Sequence, residues 1–553
     1  MMTHNQKSAD VSFESLLKIF TIPEGPDSTL TQIEAELSHN LNQFLREHIV
    51  AEEKPLTEIE RDFSDPAIPE QPQFVSEHTD HLMNTLVAHS VHTSAPSFIG
   101  HMTSALPYFL MPLSKIMIAL NQNLVKIETS KAFTPLERQV LGMLHRLIYR
   151  QHDGFYQQWM HSASHSLGAF CSGGTIANIT ALWVARNNTL KATSDFPGIE
   201  QAGIGQALAY YGYKGLAILV SERGHYSLKK AADVLGIGQQ GLVSIATDEH
   251  NRIVIDDLQQ KIAELKQQGI KPFAVVGVAG TTETGNIDPL GDIADICHHE
   301  QCHFHVDAAW GGATLLSDKY RHLLSGIELA DSVTIDAHKQ LYIPMGAGMV
   351  LFKDPDAMKA VEHHAQYILR HGSKDLGSHT LEGSRSGIAM LLYSSMHIIS
   401  RPGYGMLIDQ GIEKARYFAE LIQESTDFEL VSEPELCLLT YRYVPENIAA
   451  TMHKATKEQC LTLNNALNEL TQFIQKTQRE TGRSFVSRTQ LNPARWYHHP
   501  TVVFRVVLAN PLTSREILQA ILQQQREIAR LAPQLMANIS RIAYSIENST
   551  PMP

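Results

Sequence analysis

The chain runs to 553 residues, 43% hydrophobic and 19% charged, with a formal net charge of −13. That length exceeds one ordinary core and predicts two or three domains, while the negative balance argues against a general affinity for nucleic acid. Five scattered cysteines form no framework spacing and fit a reducing cytoplasm; the first residues lack a signal peptide's apolar core, and no long apolar run predicts a membrane span.

In chain order, Phe13, Leu16, Leu17 and Phe20 fit a short amphipathic helix, and Asp27 or Ser28 caps a second one running to about Ile49. Residues 50–76 are acidic and proline-dotted, which predicts a linker or extended arm. Long apolar helical patterns follow at 112–124 and 136–149, the latter opened by Thr134-Pro135. From residue 168, short apolar runs recur at 215–220, 241–246, 273–279, 304–309, 332–336 and 347–352, with helical segments such as 227–235 and 256–267 between them. This βαβ rhythm predicts an α/β fold with a doubly wound, mostly parallel sheet. Residues 354–386 read as a helix followed by a polar loop, and Arg401-Pro402-Gly403 as the exit toward a smaller C-terminal α+β domain with strands in 428–443 and 500–508 and a polar-faced helix in 447–482. The expected division is a helical N-terminal segment and arm over 1–130, a large domain over 131–400 and a small one over 401–553.

Five stretches carry chemistry. Gly173, Gly174 and Thr175 precede the helical face Ile176, Ile179, Trp183 and Val184, so they stand at a helix N-terminus, where free N–H groups and the dipole favour phosphate. His225 follows one strand, in a position to stack on an aromatic ligand. Thr281, Thr282 and Thr284 supply hydroxyls after another. Arg505 interrupts the apolar strand Thr501–Leu508; an arginine there needs either a structural carboxylate or a carboxylate ligand. The cluster His298-His299-Glu300-Gln301-Cys302-His303 lacks metal-ligand spacing and reads as a helix end followed by a strand start, so no metal is expected.

Beside these five stands a pair of strands. Phe304–Trp310 reads as a buried strand ending in Asp307, and Ser332–Ile335 as one ending in Asp336-Ala337-His338-Lys339. The separation of Asp307 and Lys339 is about one βαβ unit, roughly 30 residues, so both side chains stand at one sheet edge, where ligands bind. A lysine amine facing a buried carboxylate is what pyridoxal phosphate requires: the amine links to its aldehyde and the acid keeps its ring nitrogen protonated. Each stretch has a bland reading alone, as a tight turn, a loop histidine or an ion pair. The anion nest, the histidine, the hydroxyls, the aspartate and the lysine all falling at successive strand ends would take five independent accidents.

At His-Val-Asp-Ala-Ala-Trp (305–310), Asp-Ala-His-Lys (336–339), Ser-Gly-Gly-Thr-x-x-Asn (172–178) and Phe-Arg-Val-Val-Leu-Ala-Asn-Pro (504–511), the chain resembles the group II pyridoxal-phosphate decarboxylases, over roughly residues 90–511. The resemblance implies the fold-type I, aspartate aminotransferase-like architecture and α-decarboxylation of an acidic L-amino acid. It is strongest to bacterial members that make β-alanine from aspartate, with glutamate decarboxylation as the close alternative; the two acids differ by one methylene, worth only about 1–3 kcal/mol of discrimination. It implies Lys339 as the covalent anchor, Asp307 on the ring nitrogen, Ala309 beneath the ring and His225 on its other face. Gly174, Thr175 and His338 are placed near the phosphate, Thr282 near Asp307 or the ring oxygen, Arg505 on the substrate carboxylate and His101 lining the substrate site. A homodimer with active sites at the subunit interface is likewise implied. The chain departs from the family pattern twice: Asp336 stands where an asparagine is usual, and the loop around 366–385 has no central tyrosine to return a proton, only Tyr367 at its start and His379 near its end. Rival expectations are an aminotransferase, which would keep the carbon dioxide, and a non-catalytic pyridoxal-binding protein.

Overall fold

A computed structural model describes residues 55–363, 372–446, 448, 451 and 455–548. The two helices expected before residue 50, and Tyr367, lie outside the described residues.

The runs of buried apolar residues form a seven-stranded sheet: β1 (Gly168–Cys171), β2 (Gly215–Ser221), β3 (Leu242–Ile245), β4 (Ile270–Val278), β5 (His303–Asp307), β6 (Ser332–Asp336) and β7 (Gly348–Phe352). The spatial order is β1-β7-β6-β5-β4-β2-β3. β3, β2, β4, β5 and β6 pair in parallel, and β7 runs antiparallel to both β6 and β1. Every residue of β5, β6 and β7 is buried except His303, as expected of strands covered on both faces. The antiparallel β7 has one useful consequence. Because both its neighbours oppose it, β1 points the same way as β6, so the turn after β1 opens on the same edge as the ends of β2, β4, β5 and β6.

Helices cover this sheet, among them α2 (Phe133–Tyr149), α3 (Gly174–Thr189), α4 (Ser227–Val234), α5 (Ile255–Gln267) and α6 (Leu290–Glu300), whereas the preceding α1 (Leu110–Leu120) buries only Leu110. α6 ends at Glu300 and β5 begins at His303, so the histidine-rich stretch is a helix end and a strand start.

A second sheet holds β8 (Phe428–Ser432), β9 (Leu438–Tyr443), β10 (Ser487–Leu491) and β11 (Thr501–Val507), in the order β10-β11-β9-β8, all antiparallel. α7 (Ser400–Glu424), α8 (Lys457–Glu480), α9 (Arg515–Arg530) and α10 (Pro533–Asn548) share its core. A capping box starts α8: Gln459 N–H donates to the Thr456 hydroxyl (3.3 Å), and Thr456 N–H to the Gln459 side chain (2.9 Å).

One expectation differs. Among the described residues, the helix expected after residue 354 is a 3-10 turn, Ala357–Val361, and residues 364–371 lie outside them. The Asp354 carboxylate accepts from the Asp356 N–H at 2.9 Å, the bond of a turn start. Arg401-Pro402-Gly403 lies in the first turn of α7, where a proline has no intrahelical partner to lose. The chain turns one residue earlier, at Ser400, with φ 65°. Among the described residues no helix is long and apolar enough to cross a membrane.

Candidate active site

The strand ends of the large sheet enclose a cavity of about 330 Å³. β5 delivers Asp307 and, just beyond it, Ala309; β6 delivers Asp336, and the turn after it His338 and Lys339. The turn between β1 and α3 brings Gly174 and Thr175, the loop after β2 brings His225, and the loop after β4 brings Thr282. These eight expected residues other than Asp336 thus share one cavity, and Asp307 and Lys339 face the same space.

Asp307 is 6% exposed. Its Oδ2 accepts from the Asn178 amide at 2.8 Å and its Oδ1 from the Ala309 N–H at 3.2 Å. Among the described residues no cation stands within ion-pair distance of it. A buried carboxylate in that condition fits a ligand that brings a positive N–H, as the protonated pyridine nitrogen of pyridoxal phosphate does.

At the other end, Lys339 Nζ lies 3.1 Å from Asp336 Oδ2, and His338 Nε2 lies 3.5 Å from the same oxygen. Asp336 is therefore paired rather than turned away. It is 4% exposed, and its Oδ1 has no hydrogen-bond partner. This carboxylate also explains the glycines around it. A Cβ at Gly174 would sit 2.8 Å from Asp336 Oδ2, and one at Gly348 2.6 Å from Oδ1. The N–H groups of the first turn of α3 have no intrahelical acceptors, so the glycine turn offers donors to a phosphate. The preceding N–H, of Ser172, donates to Glu382 at 2.9 Å.

The His225 ring stands 4.2 Å from that of Tyr226, and its Nδ1 is 2.8 Å from the Ser227 hydroxyl. Burial holds its pKa below the ordinary value, opposed by the nearby Asp307 carboxylate. The cavity thus offers a flat neutral ring, an amine, a lone carboxylate and a helix N-terminus, a donor set that fits pyridoxal phosphate at each end.

Arg505 and His101 flank the cavity rather than line it. Arg505 is 7% exposed, and it donates to the Thr282 carbonyl at 2.6 Å and the Gly100 carbonyl at 3.3 Å. No carboxylate lies within ion-pair distance of it among the described residues. Burial lowers its pKa to about 10, with the Glu283 charge acting in the opposite direction. The His101 Nδ1 bonds the Thr103 hydroxyl at 3.1 Å; burial, then the charges of Arg505 and Lys339, lower its pKa, so it stands close to both cations. His379, weighed from the sequence as a proton donor, is buried against Ser378 Oγ at 2.7 Å and does not line the cavity. Tyr226, 57% exposed at the cavity mouth, went unremarked in the sequence, as did the role of Asn178. The Ser-Gly-Gly-Thr-x-x-Asn pattern contains Asn178, but its contact with Asp307 spans 129 positions and has no local signal.

Comparison with known proteins gives concordant results. The pyridoxal-dependent decarboxylase conserved domain matches residues 55–444. Aspartate 1-decarboxylase of Aliivibrio fischeri is 73% identical over 529 residues, covering 96% of both chains. Cysteine sulfinic acid decarboxylase of Mus musculus is 29% identical over 447 residues, 79% of this chain and 83% of that one. The crystal structure of mouse CSAD in apo form superposes with a TM-score of 0.78 at 25% identity, covering 90% of this chain and 98% of that one.

Proposed function

The chain belongs to the pyridoxal-dependent decarboxylases, and from that premise we propose that it converts L-aspartate to β-alanine and carbon dioxide, consuming one proton. The observation that carries the reading is the cavity itself, with a buried carboxylate that lacks a cation at one end and a lysine amine at the other. The aspartate assignment rests on the 73% identity to the Aliivibrio fischeri enzyme across nearly the whole chain.

Pyridoxal phosphate, when bound, supplies a covalent hold on the substrate amine and a sink for the electrons of the bond that breaks at Cα. The residues divide the rest. Lys339 would hold the cofactor. Asp307, fixed by Asn178 and the Ala309 N–H, would keep its ring nitrogen protonated. Gly174, Thr175 and His338 would hold the phosphate, and Ala309 and His225 would take the ring. Thr282 stands beside them with its carbonyl steering Arg505, and Arg505 grips a substrate carboxylate, with His101 next to it. A guanidinium receives a carboxylate through two parallel hydrogen bonds.

The same reading includes a homodimer. Tyr108, Met111, Ile116, Ile118 and Leu120 on and before α1 are between 47% and 82% exposed, an apolar surface suited to a second copy.

Product analysis tests the reading. The purified protein loaded with pyridoxal phosphate and offered aspartate, glutamate and cysteine sulfinate one at a time should release carbon dioxide and β-alanine from aspartate at the highest kcat/KM. γ-Aminobutyrate from glutamate as the dominant product would overturn the substrate, and a requirement for a keto acid without gas release would overturn the reaction class.

A further inference from the structure

Asn178 lies in the second turn of α3, 1% exposed, where three elements of the site converge. Its Nδ2 is 2.8 Å from Asp307 Oδ2 and 3.0 Å from Ser227 Oγ, and its Oδ1 is 3.1 Å from His305 Nε2. His305 Nδ1 continues to Ser332 Oγ at 2.8 Å, and Ser332 Oγ to His303 Nε2 at 2.7 Å. On the other branch, Ser227 Oγ reaches His225 Nδ1 at 2.8 Å. Ser227, His305 and Ser332 are fully buried, so water does not substitute for any of these partners.

We propose that Asn178 is a positioning residue that ties Asp307 to His225 through hydrogen bonds of one fixed direction, so that His225 meets the ligand as a neutral imidazole with its proton on Nε2.

The direction follows from one end. An ionised carboxylate only accepts hydrogen bonds, so the atom of Asn178 facing Asp307 is its amino nitrogen and not its oxygen. The two amide protons then go to Asp307 and to Ser227 Oγ. The Asn178 oxygen must accept, which places the proton of His305 on Nε2 and leaves His305 Nδ1 to accept from the Ser332 hydroxyl. Ser332 in turn accepts from His303 Nε2. Ser227 accepts from Asn178, and the acceptor in reach of its own proton among the described residues is His225 Nδ1. The Ser227 backbone N–H, 3.3 Å from that same nitrogen, agrees with its being an acceptor. The one proton of a neutral His225 is then on Nε2, across the ring from Ser227.

Burial supports the neutral state of both rings. It lowers His305 to about 4, against the pull of Asp307. For His225, burial again leads; the Asp307, Asp336 and Glu283 carboxylates oppose it and Lys339 reinforces it. Reversing any one bond would leave a buried donor facing a donor, or an acceptor facing an acceptor, at about 1–3 kcal/mol. In the loaded protein the arrangement gives His225 a donor to offer a ligand oxygen. It also denies His225 the spare proton it would need to act as an imidazolium acid.

The inference deepens the proposed site, yet its readout is magnetic. Holoenzyme labelled with ¹⁵N-histidine, with the His225 signals identified by their loss in His225→Gln, should show a protonated Nε2 and a bare Nδ1 near neutral pH. In Ser227→Ala the Nδ1 loses its donor, and a population with the proton on Nδ1 should appear, with kcat/KM falling about two- to tenfold, the value of one neutral hydrogen bond. Ser227→Thr keeps the hydroxyl and should restore both signals and rate. A wild-type spectrum with the proton on Nδ1, or on both nitrogens, overturns the proposal, as does a Ser227→Ala spectrum identical to wild type. The expected spectrum alongside a failed product analysis would remove only the substrate assignment.

Discussion

Two buried arginines on neighbouring strands of the small sheet make opposite uses of the same chemistry. Arg442 on β9 is wholly buried; its Nε donates to Glu429 at 2.7 Å, its Nη1 donates to Asn464 at 2.8 Å, and its guanidinium lies 3.8 Å from the centre of the Trp496 ring. Arg505 on β11 is nearly as buried, but its hydrogen bonds go to the carbonyls of Thr282 and Gly100 and, at 3.5 Å, to the Ser487 hydroxyl. One arginine brings its own counter-ion within the fold, and the other is held by neutral groups beside a cavity. The fold tolerates the cost of burying Arg505 without a carboxylate, and a carboxylate substrate is what would offset that cost. Neutral carbonyls hold a guanidinium in place without neutralising it, so they orient Arg505 while leaving its charge for a ligand.

If this contrast is right, the two arginines respond to mutation in opposite assays. Arg442→Met should produce the largest change, a loss of about 3–5 kcal/mol in unfolding free energy measured by urea denaturation, because Glu429 is left charged and buried; Arg495 at 2.7 Å from Glu429 would soften it toward the lower figure. Specific activity per folded molecule should stay near wild type. Arg505→Met should instead leave the urea midpoint almost unmoved and lower kcat/KM on aspartate roughly 30- to 150-fold, corresponding to about 2–3 kcal/mol for a charge-assisted pair. Equal losses of stability in both variants would erase the distinction. The smallest effect belongs to a third charged group. Asp336 pairs with Lys339 but stands against the glycine turn proposed to take the phosphate, so Asp336→Asn should slow cofactor loss on dialysis by about tenfold, the size of one screened charge repulsion at close range. Faster loss in that variant would show that the pairing of Asp336 with Lys339 matters more than its repulsion of phosphate.

The same pair shows where sequence reading stops. Both arginines interrupt apolar strands, Tyr441-Arg442-Tyr443 and Phe504-Arg505-Val506, and the local pattern is alike. What separates them is Glu429, which β8 lays opposite Arg442 in the sheet register, a tertiary fact with no local trace. Asp307 and Lys339 were legible for the opposite reason. Each ends a continuous buried run whose length and composition mark a parallel strand, and parallel strands put their ends on one edge by geometry alone. The glycine turn at 173–174 was legible as a helix N-terminus, but the carboxylate of Asp336 pressed against Gly174 was not.

The account depends on Lys339 being the amine that holds the cofactor. Borohydride reduction of the protein loaded with pyridoxal phosphate, followed by proteolysis and mass spectrometry, reads this directly. The predicted result is one modified peptide, carrying the reduced cofactor on Lys339, and none in Lys339→Ala; a cofactor fixed to another lysine in the wild-type protein, or no fixed cofactor at all, would contradict it.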